Sequence, residues 1–223
     1  MLLVLGAALR LWRLDAQSLW IDELFTWNVA RWDHGLGALW GLVRDDVHPP
    51  LYYLLLHGWF GLVGDSPVAA RLPSALCGVL TVAAAVVFYR PLLAPGRHLV
   101  FVLFVALSYG GIYFAQEARS YALLLLLAVA ATAAALRLAL LCASTDERAW
   151  NRAATLLAVT SLVAAYTHYF GVVLAVASFG ATVLSAGQWR RAVKLVAAGL
   201  LVALAFVPWL AVATAEKLAQ LAL

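Results

Sequence analysis

Three carboxylates are the side chains of this sequence best suited to chemistry. Asp22 and Glu23 are adjacent and follow the first apolar run, and Glu117 follows a later one. Partial desolvation raises the pKa of a carboxylate, so such a group can take a proton from a hydroxyl as a general base. Helix capping is the alternative for the adjacent pair, because acids in a first turn complement the partial positive charge of a helix N-terminus. The pair alone leaves both interpretations open.

Two arginines near apolar runs, Arg71 and Arg119, are candidates for binding a phosphate group. A guanidinium can donate two parallel hydrogen bonds to one phosphate, which gives both charge and orientation. One alternative is that the side chains snorkel to lipid headgroups. For Arg119, a salt bridge with the nearby Glu117 is a further alternative. Both kinds of interpretation stay open for each arginine.

The other candidates for substrate contact are imidazole and phenol side chains close to the ends of apolar runs. They are His48, Tyr52, Tyr121, His168 and Tyr169. Two prolines follow His48, and Pro50 suits a first helical position, so a helix start with an aromatic anchor explains most of that segment. His168 and Tyr169 lie at a predicted chain reversal, where they could contact a sugar or a phosphate or could simply pack.

Signals for a cofactor are weak. The sequence has no glycine-rich nucleotide-binding loop and no Cys/His metal pattern. A divalent cation could be held by Asp22 and Glu117 together with Glu23, although three acids are a weak signal for a metal. No cofactor is predicted with this pattern, and metal dependence stays open.

The composition places these polar groups in a membrane protein. Hydrophobic residues make up 65% of the 223 residues and charged residues only 12%, and the mean hydropathy is +0.94. A water-soluble domain needs more surface charge, so we predict an all-α integral membrane protein. The net charge of +4 arises in short basic loops, which indicates cytoplasmic loops rather than nucleic-acid binding. Cys77 and Cys142 lie in apolar runs, where small packing residues are expected.

Apolar runs predict a single polytopic domain, residues 1–223, with about seven transmembrane helices. The first span is short and covers residues 1–14. The clearest spans have nearly uninterrupted apolar sequences: residues 68–89, 98–115, 120–142 and 195–212. Residues 153–186 would form a helix of about 50 Å, which is too long for a bilayer core of about 30 Å. We therefore predict two short helices joined at residues 167–171.

The distribution of positive charge predicts the orientation. Residues 15–67 are expected to be an external loop with two interfacial helices, at 22–32 and 50–63. The basic segments then share one side of the membrane: residues 90–98, 148–152 and 190–194. The positive-inside rule makes that side cytoplasmic. The candidate site is accordingly predicted at the extracytoplasmic face of the plasma membrane.

Five motifs, taken together and in order, resemble the GT-C membrane glycosyltransferases. The motifs are WIDE at 20–23, HPPLYY at 48–53, RLPS at 71–74, QEARSY at 116–121 and THYF at 167–170. The chain is most similar to glycosyltransferase family 39, the dolichyl-phosphate-mannose protein mannosyltransferases and their bacterial relatives. The resemblance covers essentially the whole chain. Members of that family usually run to twice this length, so we expect an N-terminal fragment.

The resemblance implies a GT-C-like helical bundle that binds a polyprenyl-phosphate sugar donor from the outer leaflet. The acceptor would be a hydroxyl of a glycan, a lipid or a protein. By this resemblance Asp22 is the catalytic base, Glu23 and Glu117 shape the site, and Arg71 or Arg119 neutralises the leaving phosphate. Many relatives carry Asp where this chain has Glu117. Single displacement with inversion is the course that the family implies.

Two other classes of protein fit an apolar chain of this kind. A small-solute transporter or channel component would line a continuous path with charged groups inside the membrane. The charges of this sequence instead cluster at the ends of apolar runs. A non-catalytic membrane scaffold is the other alternative, and the presence of all five motifs disfavours it.

Overall fold

The computed structural model describes the backbone of residues 1–221 and the side chains of residues 1–215 and 217. The described residues form α-helices and two short 3₁₀ helices, Trp32–His34 and Phe114–Gln116, and no strand occurs among them. The predicted all-α fold class is therefore confirmed. The α-helices are α1 (Leu2–Leu11), α2 (Ile21–Ala30), α3 (Gly35–Asp45), α4 (Leu51–Val63), α5 (Pro67–Tyr89), α6 (Pro95–Leu107), α7 (Tyr109–Tyr113), α8 (Tyr121–Leu140), α9 (Glu147–Thr167), α10 (Phe170–Leu184) and α11 (Trp189–Leu221).

Long apolar helices supply the membrane part of the fold. α5, α8 and the segment Trp189–Ala215 of α11 are each long and apolar enough to cross a bilayer. α6 and the following segment Tyr109–Gln116 are together long and apolar enough to cross a bilayer, although they are bent by 51° where they meet. α1, α4 and α10 are apolar but shorter. The count of about seven spans stays a prediction.

The first loop, residues 15–67, contains three α-helices where the sequence predicts two. α2 and α4 correspond to the predicted helices at 22–32 and 50–63. The sequence does not predict α3, because three of its eleven residues are glycine and glycine disfavours a helix. Tertiary packing compensates: Leu39 and Val43 are fully buried and contact the cluster that α11 contributes to.

α9 is the centre of the second half of the bundle. It packs against α8, α10 and α11. Its buried face carries small residues, Ala153, Ala164 and Ala165, around the fully buried Leu157. Lipid tails are as apolar as leucine, so helices associate in a bilayer through close packing, which small residues permit.

The predicted reversal at residues 167–171 is confirmed. Only His168 and Tyr169 separate α9 from α10, and His168 is extended, with φ −163° and ψ 146°. A Cβ atom at Gly171 would lie 2.1 Å from the carbonyl group of Ala164. Glycine is therefore required for this tight turn, which holds both aromatic side chains at the end of the bundle.

Candidate active site

Segments that are far apart in the sequence converge at one end of the bundle. The N–H of Ala118 donates to Oε1 of Glu23 at 2.8 Å, which joins the start of α8 to α2. Nη2 of Arg119 lies 3.5 Å from Nε2 of His48. The ring of His48 in turn lies 5.2 Å from the ring of His168, measured between centroids. The sequence motifs around these residues thus form one site.

Glu23 is fully buried and forms an ion pair with Arg71. Nε and Nη2 of Arg71 donate to the two carboxylate oxygens at 2.8 and 2.6 Å, in a bidentate arrangement. Glu23 also accepts the N–H of Trp20 at 3.3 Å, which caps the N-terminus of α2. Helix capping, the alternative interpretation, therefore describes Glu23. A buried ion pair of this kind is stable only when hydrogen bonds satisfy both partners.

Arg71 has all five of its N–H groups engaged. In addition to the two bonds with Glu23, it donates to three carbonyl oxygens of the chain after α1. These belong to Leu14 and Gln17, at 2.8 Å each, and to Ser18, at 3.2 Å. Because a guanidinium has five donors in total, none is left for a phosphate group. Of the two arginines considered for phosphate binding, the geometry therefore favours Arg119.

Asp22 differs from Glu23 in its burial and in its hydrogen bonding. Consecutive helical residues point about 100° apart, so Glu23 faces the bundle while Asp22 is only half-buried. In the described part of the chain, no hydrogen bond or ion pair engages the Asp22 carboxylate. Its charge acts on both Glu117 and Arg119. Asp22 is therefore the acid of the pair that is free to accept a proton.

Arg119 is buried as deeply as Arg71, but fewer of its N–H groups have hydrogen-bond partners. Its Nη1 donates to Oγ1 of Thr26 at 3.0 Å and to the carbonyl oxygen of Asp22 at 3.3 Å. Its Nε has no hydrogen-bond partner among the described residues. Leaving a buried donor unpaired costs about 1–3 kcal/mol. Nη2 of Arg119 makes only the long contact with His48, so this group can still donate to an anionic ligand.

His48 is oriented by Asp46. Nδ1 of His48 lies 3.1 Å from Oδ2 of Asp46, which also accepts a hydrogen bond from Oη of Tyr53 at 2.6 Å. Burial acts to raise the pKa of Asp46, but the hydrogen bonds from His48, Tyr53 and the backbone outweigh burial and lower that pKa. Asp46 thus orients the His48 ring so that Nε2 faces Arg119.

His168 completes an aromatic wall beside Arg119. Its ring centroid lies 5.2 Å from that of His48 and 5.6 Å from that of Tyr121. Burial lowers the pKa of His168, and the charges of His48 and Arg119 act in the same direction, so the surroundings favour its neutral form. The guanidinium of Arg119 lies 5.7 Å from the ring centroid of Tyr121. The wall can therefore donate and accept hydrogen bonds without adding a full charge.

Tyr52 and Tyr169 are engaged in contacts within the protein. Oη of Tyr52 lies 2.8 Å from Oγ of Ser74, which donates to the carbonyl oxygen of Arg119 at 3.0 Å. Oη of Tyr169 accepts from Nε1 of Trp209 at 3.3 Å. Tyr52 thus supports the backbone that carries Arg119, and Tyr169 ties the reversal to α11. Direct contact of either phenol with a substrate stays a prediction.

A cavity of about 500 Å³ opens beside Glu117. Aromatic and polar side chains line it, among them Trp12, Gln17, Trp20, Tyr113 and Gln116. Burial raises the pKa of Glu117, and the charges of Glu23 and Asp22 raise it further, against a hydrogen bond from Tyr113 and the charge of Arg119. The volume falls within the range of about 300–1,000 Å³ that small-ligand pockets occupy.

Arg10 is a residue that sequence reasoning missed. It is fully buried in α1, and it donates to the carbonyl oxygens of Ala106 and Val105 at 2.9 Å each. These carbonyls lie at the end of α6, where the bend into α7 deprives them of helical partners. Arg10 therefore stabilises the bend that leads to Glu117 and Arg119. In the sequence it looks like any arginine that snorkels from the end of a span.

The metal hypothesis gains no support from the geometry. No group of three or more His, Cys, Asp or Glu residues that could hold an ion is found among the described residues. Glu23 is already engaged by Arg71. A role of Asp22 and Glu117 in metal binding stays an untested hypothesis.

Comparison with protein families identifies one match. Residues 47–212 match the model of the family described as Dolichyl-phosphate-mannose-protein mannosyltransferase. The matched region contains four of the five motifs, all except WIDE. No curated protein matches the chain.

Comparison with solved structures finds a similar fold. The chain is similar to a chain in the structure of the S. cerevisiae protein O-mannosyltransferase Pmt1-Pmt2 complex bound to the sugar donor, with a TM-score of 0.67 and 20% identity. The similarity covers 95% of this chain and 32% of the yeast chain, so this chain spans about a third of that relative. The fold is that of a multi-pass membrane protein, as predicted, and the chain belongs to the dolichyl-phosphate-mannose-protein mannosyltransferase family.

Proposed function

We propose that this chain forms the catalytic membrane part of a glycosyltransferase. The reaction moves a mannose-like sugar from a polyprenyl-phosphate donor to an acceptor hydroxyl of a glycan, a lipid or a protein. Family membership supports this class over a small-solute transporter or a scaffold. The yeast relative was solved with a sugar donor bound. The site faces the extracytoplasmic side of the plasma membrane, as the basic segments at the other end of the helices suggest.

The observation that carries the proposal is the free carboxylate of Asp22 next to Arg119, a cation whose hydrogen bonds are incompletely satisfied. Asp22 takes the proton of the acceptor hydroxyl as its oxygen attacks the anomeric carbon. A bond forms between that oxygen and the carbon, and the bond from the carbon to the phosphate oxygen breaks. The sugar is transferred in one displacement, which inverts the anomeric configuration. The proton ends on Asp22 and the electron pair on the leaving phosphate.

Arg119 stabilises the charge that develops on the leaving phosphate. Its Nη2 makes only a long contact with His48, at 3.5 Å, which leaves donors available for phosphate oxygens. A preorganised donor aimed at developing charge accounts for about 10²–10³ in rate in other enzymes. Neutral His168 and the hydroxyl of Tyr121 add hydrogen bonds beside the phosphate.

Glu23 and Arg71 hold the site together instead of reacting. Their ion pair fixes α2 against α5, and therefore fixes the start of α2 that carries Asp22. Glu117 faces the adjacent cavity, which offers room for the sugar or the acceptor. A carboxyl group at this position suits a hydrogen bond to a sugar hydroxyl.

The test is transfer by Asp22→Asn in membranes supplied with radiolabelled polyprenyl-phosphate mannose. We expect transfer to endogenous acceptors to fall by about 10²–10⁴-fold, the range for loss of a general base, while binding of the donor changes little. Asp33→Asn is the matched control, because Asp33 is an exposed acid of the same first loop that pairs with Arg31. Near-normal transfer by Asp22→Asn at equal protein level would contradict the proposal.

A further inference from the structure

A second cavity lies at the other end of the bundle, away from the candidate active site. Its volume is about 350 Å³, it is open on one side, and it is lined by the end of α5 and the segment after it, by α8 and by the first half of α9. Most of its lining is apolar, including Phe88, Leu92 and Leu156. Two cations from different helices, Arg137 of α8 and Arg152 of α9, also line it. The lining of the cavity is therefore mostly apolar and carries two positive charges.

The position along α8 assigns this cavity to the opposite leaflet. α8 begins at Tyr121, beside the active-site arginine, and Arg137 lies in its last turn. Sixteen residues at about 1.5 Å each separate the two ends by about 24 Å. This distance approaches the thickness of a hydrocarbon core, about 30 Å. Arg137 therefore lies at the membrane face that the basic segments predict to be cytoplasmic.

The two cavity arginines are free, whereas a neighbouring arginine is not. Arg191 donates to three carbonyl oxygens of the loop between α8 and α9 and to Glu147, at distances of 2.7 to 3.0 Å. By contrast, no hydrogen bond or ion pair in the described part of the chain engages the guanidinium of Arg137 or Arg152. Glu147, the first residue of α9, is held by Arg191 and Lys194. Both cavity arginines are exposed, and neither is paired with an acid among the described residues.

We propose that this cavity binds an anionic phospholipid. The phosphate diester would accept hydrogen bonds from the two guanidinium groups, and one acyl chain would lie along the apolar wall. Charge complementarity and the amphipathic shape of the cavity argue for this occupant, because basic pockets between transmembrane helices recognise anionic headgroups in the cytoplasmic leaflet. Ordinary snorkelling would not need a cavity lined by arginines from two helices. The site is independent of the sugar-transfer chemistry.

The experiment measures phospholipid binding to the purified protein in detergent by native mass spectrometry. Phosphatidylglycerol is compared with phosphatidylcholine of the same acyl chains, and with glycerol phosphate, which has the headgroup chemistry without the chains. We expect the wild type to prefer phosphatidylglycerol. In the double variant Arg137→Gln/Arg152→Gln we expect affinity to fall about 25-fold, from about fivefold for each surface arginine.

The matched control is Arg148→Gln/Arg190→Gln. Both of these arginines are exposed, neither lines the cavity, and the change in net charge is the same. An equal loss of affinity in the two double variants, or equal binding of the two phospholipids by the wild type, would overturn the proposal. Binding of glycerol phosphate as tight as that of the lipid would also overturn it, because it would reveal a phosphate site without a seat for the chain.

A further variant keeps both cations and alters only the apolar wall. Ala149 lines the cavity, so Ala149→Leu should narrow the seat for the acyl chain. We expect this variant to weaken binding of phosphatidylglycerol while its thermal unfolding without lipid stays close to that of the wild type. Unchanged lipid binding would count against an acyl chain in the cavity.

Discussion

Arg71 and Arg119 are two buried arginines at the same end of the bundle, and the protein uses them differently. Arg71 donates all five of its hydrogen bonds inside the protein, to one carboxylate and three carbonyl groups. Arg119 makes one good bond, to Thr26, and leaves its Nε without a partner in the described residues. Both are only about 5–6% exposed, so burial does not explain the difference.

We call each arginine with its hydrogen-bond partners a centre. The Arg71 centre and the Arg119 centre differ in how many N–H groups of the guanidinium have a partner. A buried charge with every donor matched contributes to folding, and removing its partner leaves an uncompensated charge. A buried charge with donors to spare costs stability, and a protein retains such a cost where a ligand later removes it. The Arg71 centre is therefore a clamp for the first loop, whereas the Arg119 centre is the one that we propose to bind an anion.

The largest effect is expected from breaking the clamp. Arg71→Leu leaves the Glu23 carboxylate buried without its cation, so we expect the free energy of unfolding to fall by about 3–5 kcal/mol. Denaturant unfolding in detergent measures this loss. The control is Arg31→Leu, whose partner Asp33 is exposed, and its cost should stay below about 1 kcal/mol. Equal costs for the two variants would show that Arg71 is not a structural clamp.

At Arg119 we expect a smaller loss of folding stability and a specific loss of donor binding. Arg119→Ala should weaken binding of polyprenyl-phosphate mannose by about 10–100-fold, since a hydrogen bond to a charged group contributes about 1.5–3 kcal/mol. Arg119→Lys should recover part of the affinity, because lysine restores the charge but not the fork. Equilibrium binding in detergent separates these outcomes. Unchanged donor affinity in Arg119→Ala would assign the phosphate to another group.

The sequence is a good guide to the helices and a poor guide to their irregularities. Apolar length and the polar break at 167–171 predict the spans and the reversal, because membrane helices obey simple limits of length. α3 escapes prediction because its stability comes from burial of Leu39 and Val43, and its three glycines argue against it. The bend after α6 depends on Arg10, which contacts carbonyl groups about 95 residues away. Such long-range contacts leave no local pattern.

The candidate site shows the same limit. The sequence correctly identifies the residues that meet at this end of the bundle, since polar groups in an apolar chain are few. It does not identify the partners: a salt bridge between Glu117 and Arg119 looks natural from their spacing, whereas Glu23 pairs with Arg71 across 48 positions. The direction of a side chain on a helix differs between neighbours, so the different fates of Asp22 and Glu23 follow only once α2 is docked.

The smallest effect concerns pH, and it uses Glu117, which lies between the two centres in the loop before α8. Burial raises the pKa of Glu117 in the folded protein, so the folded state prefers the protonated form. The stabilising contribution is therefore fully present below the ordinary pKa of glutamate and is lost as the pH rises through the raised value.

Glu117→Gln should keep that contribution at every pH, because the amide resembles the protonated acid. We expect wild type and variant to unfold at similar temperatures near pH 4, and the variant to become the more stable one as the pH rises towards 8. Glu147→Gln is a control of opposite sign, because a hydrogen bond from Arg191 lowers the pKa of Glu147. Here the wild type should unfold at a higher temperature than Glu147→Gln at high pH. The difference in unfolding temperature should disappear as the pH falls. A pH-independent difference for Glu117→Gln would mean that burial of this acid has no influence on its protonation.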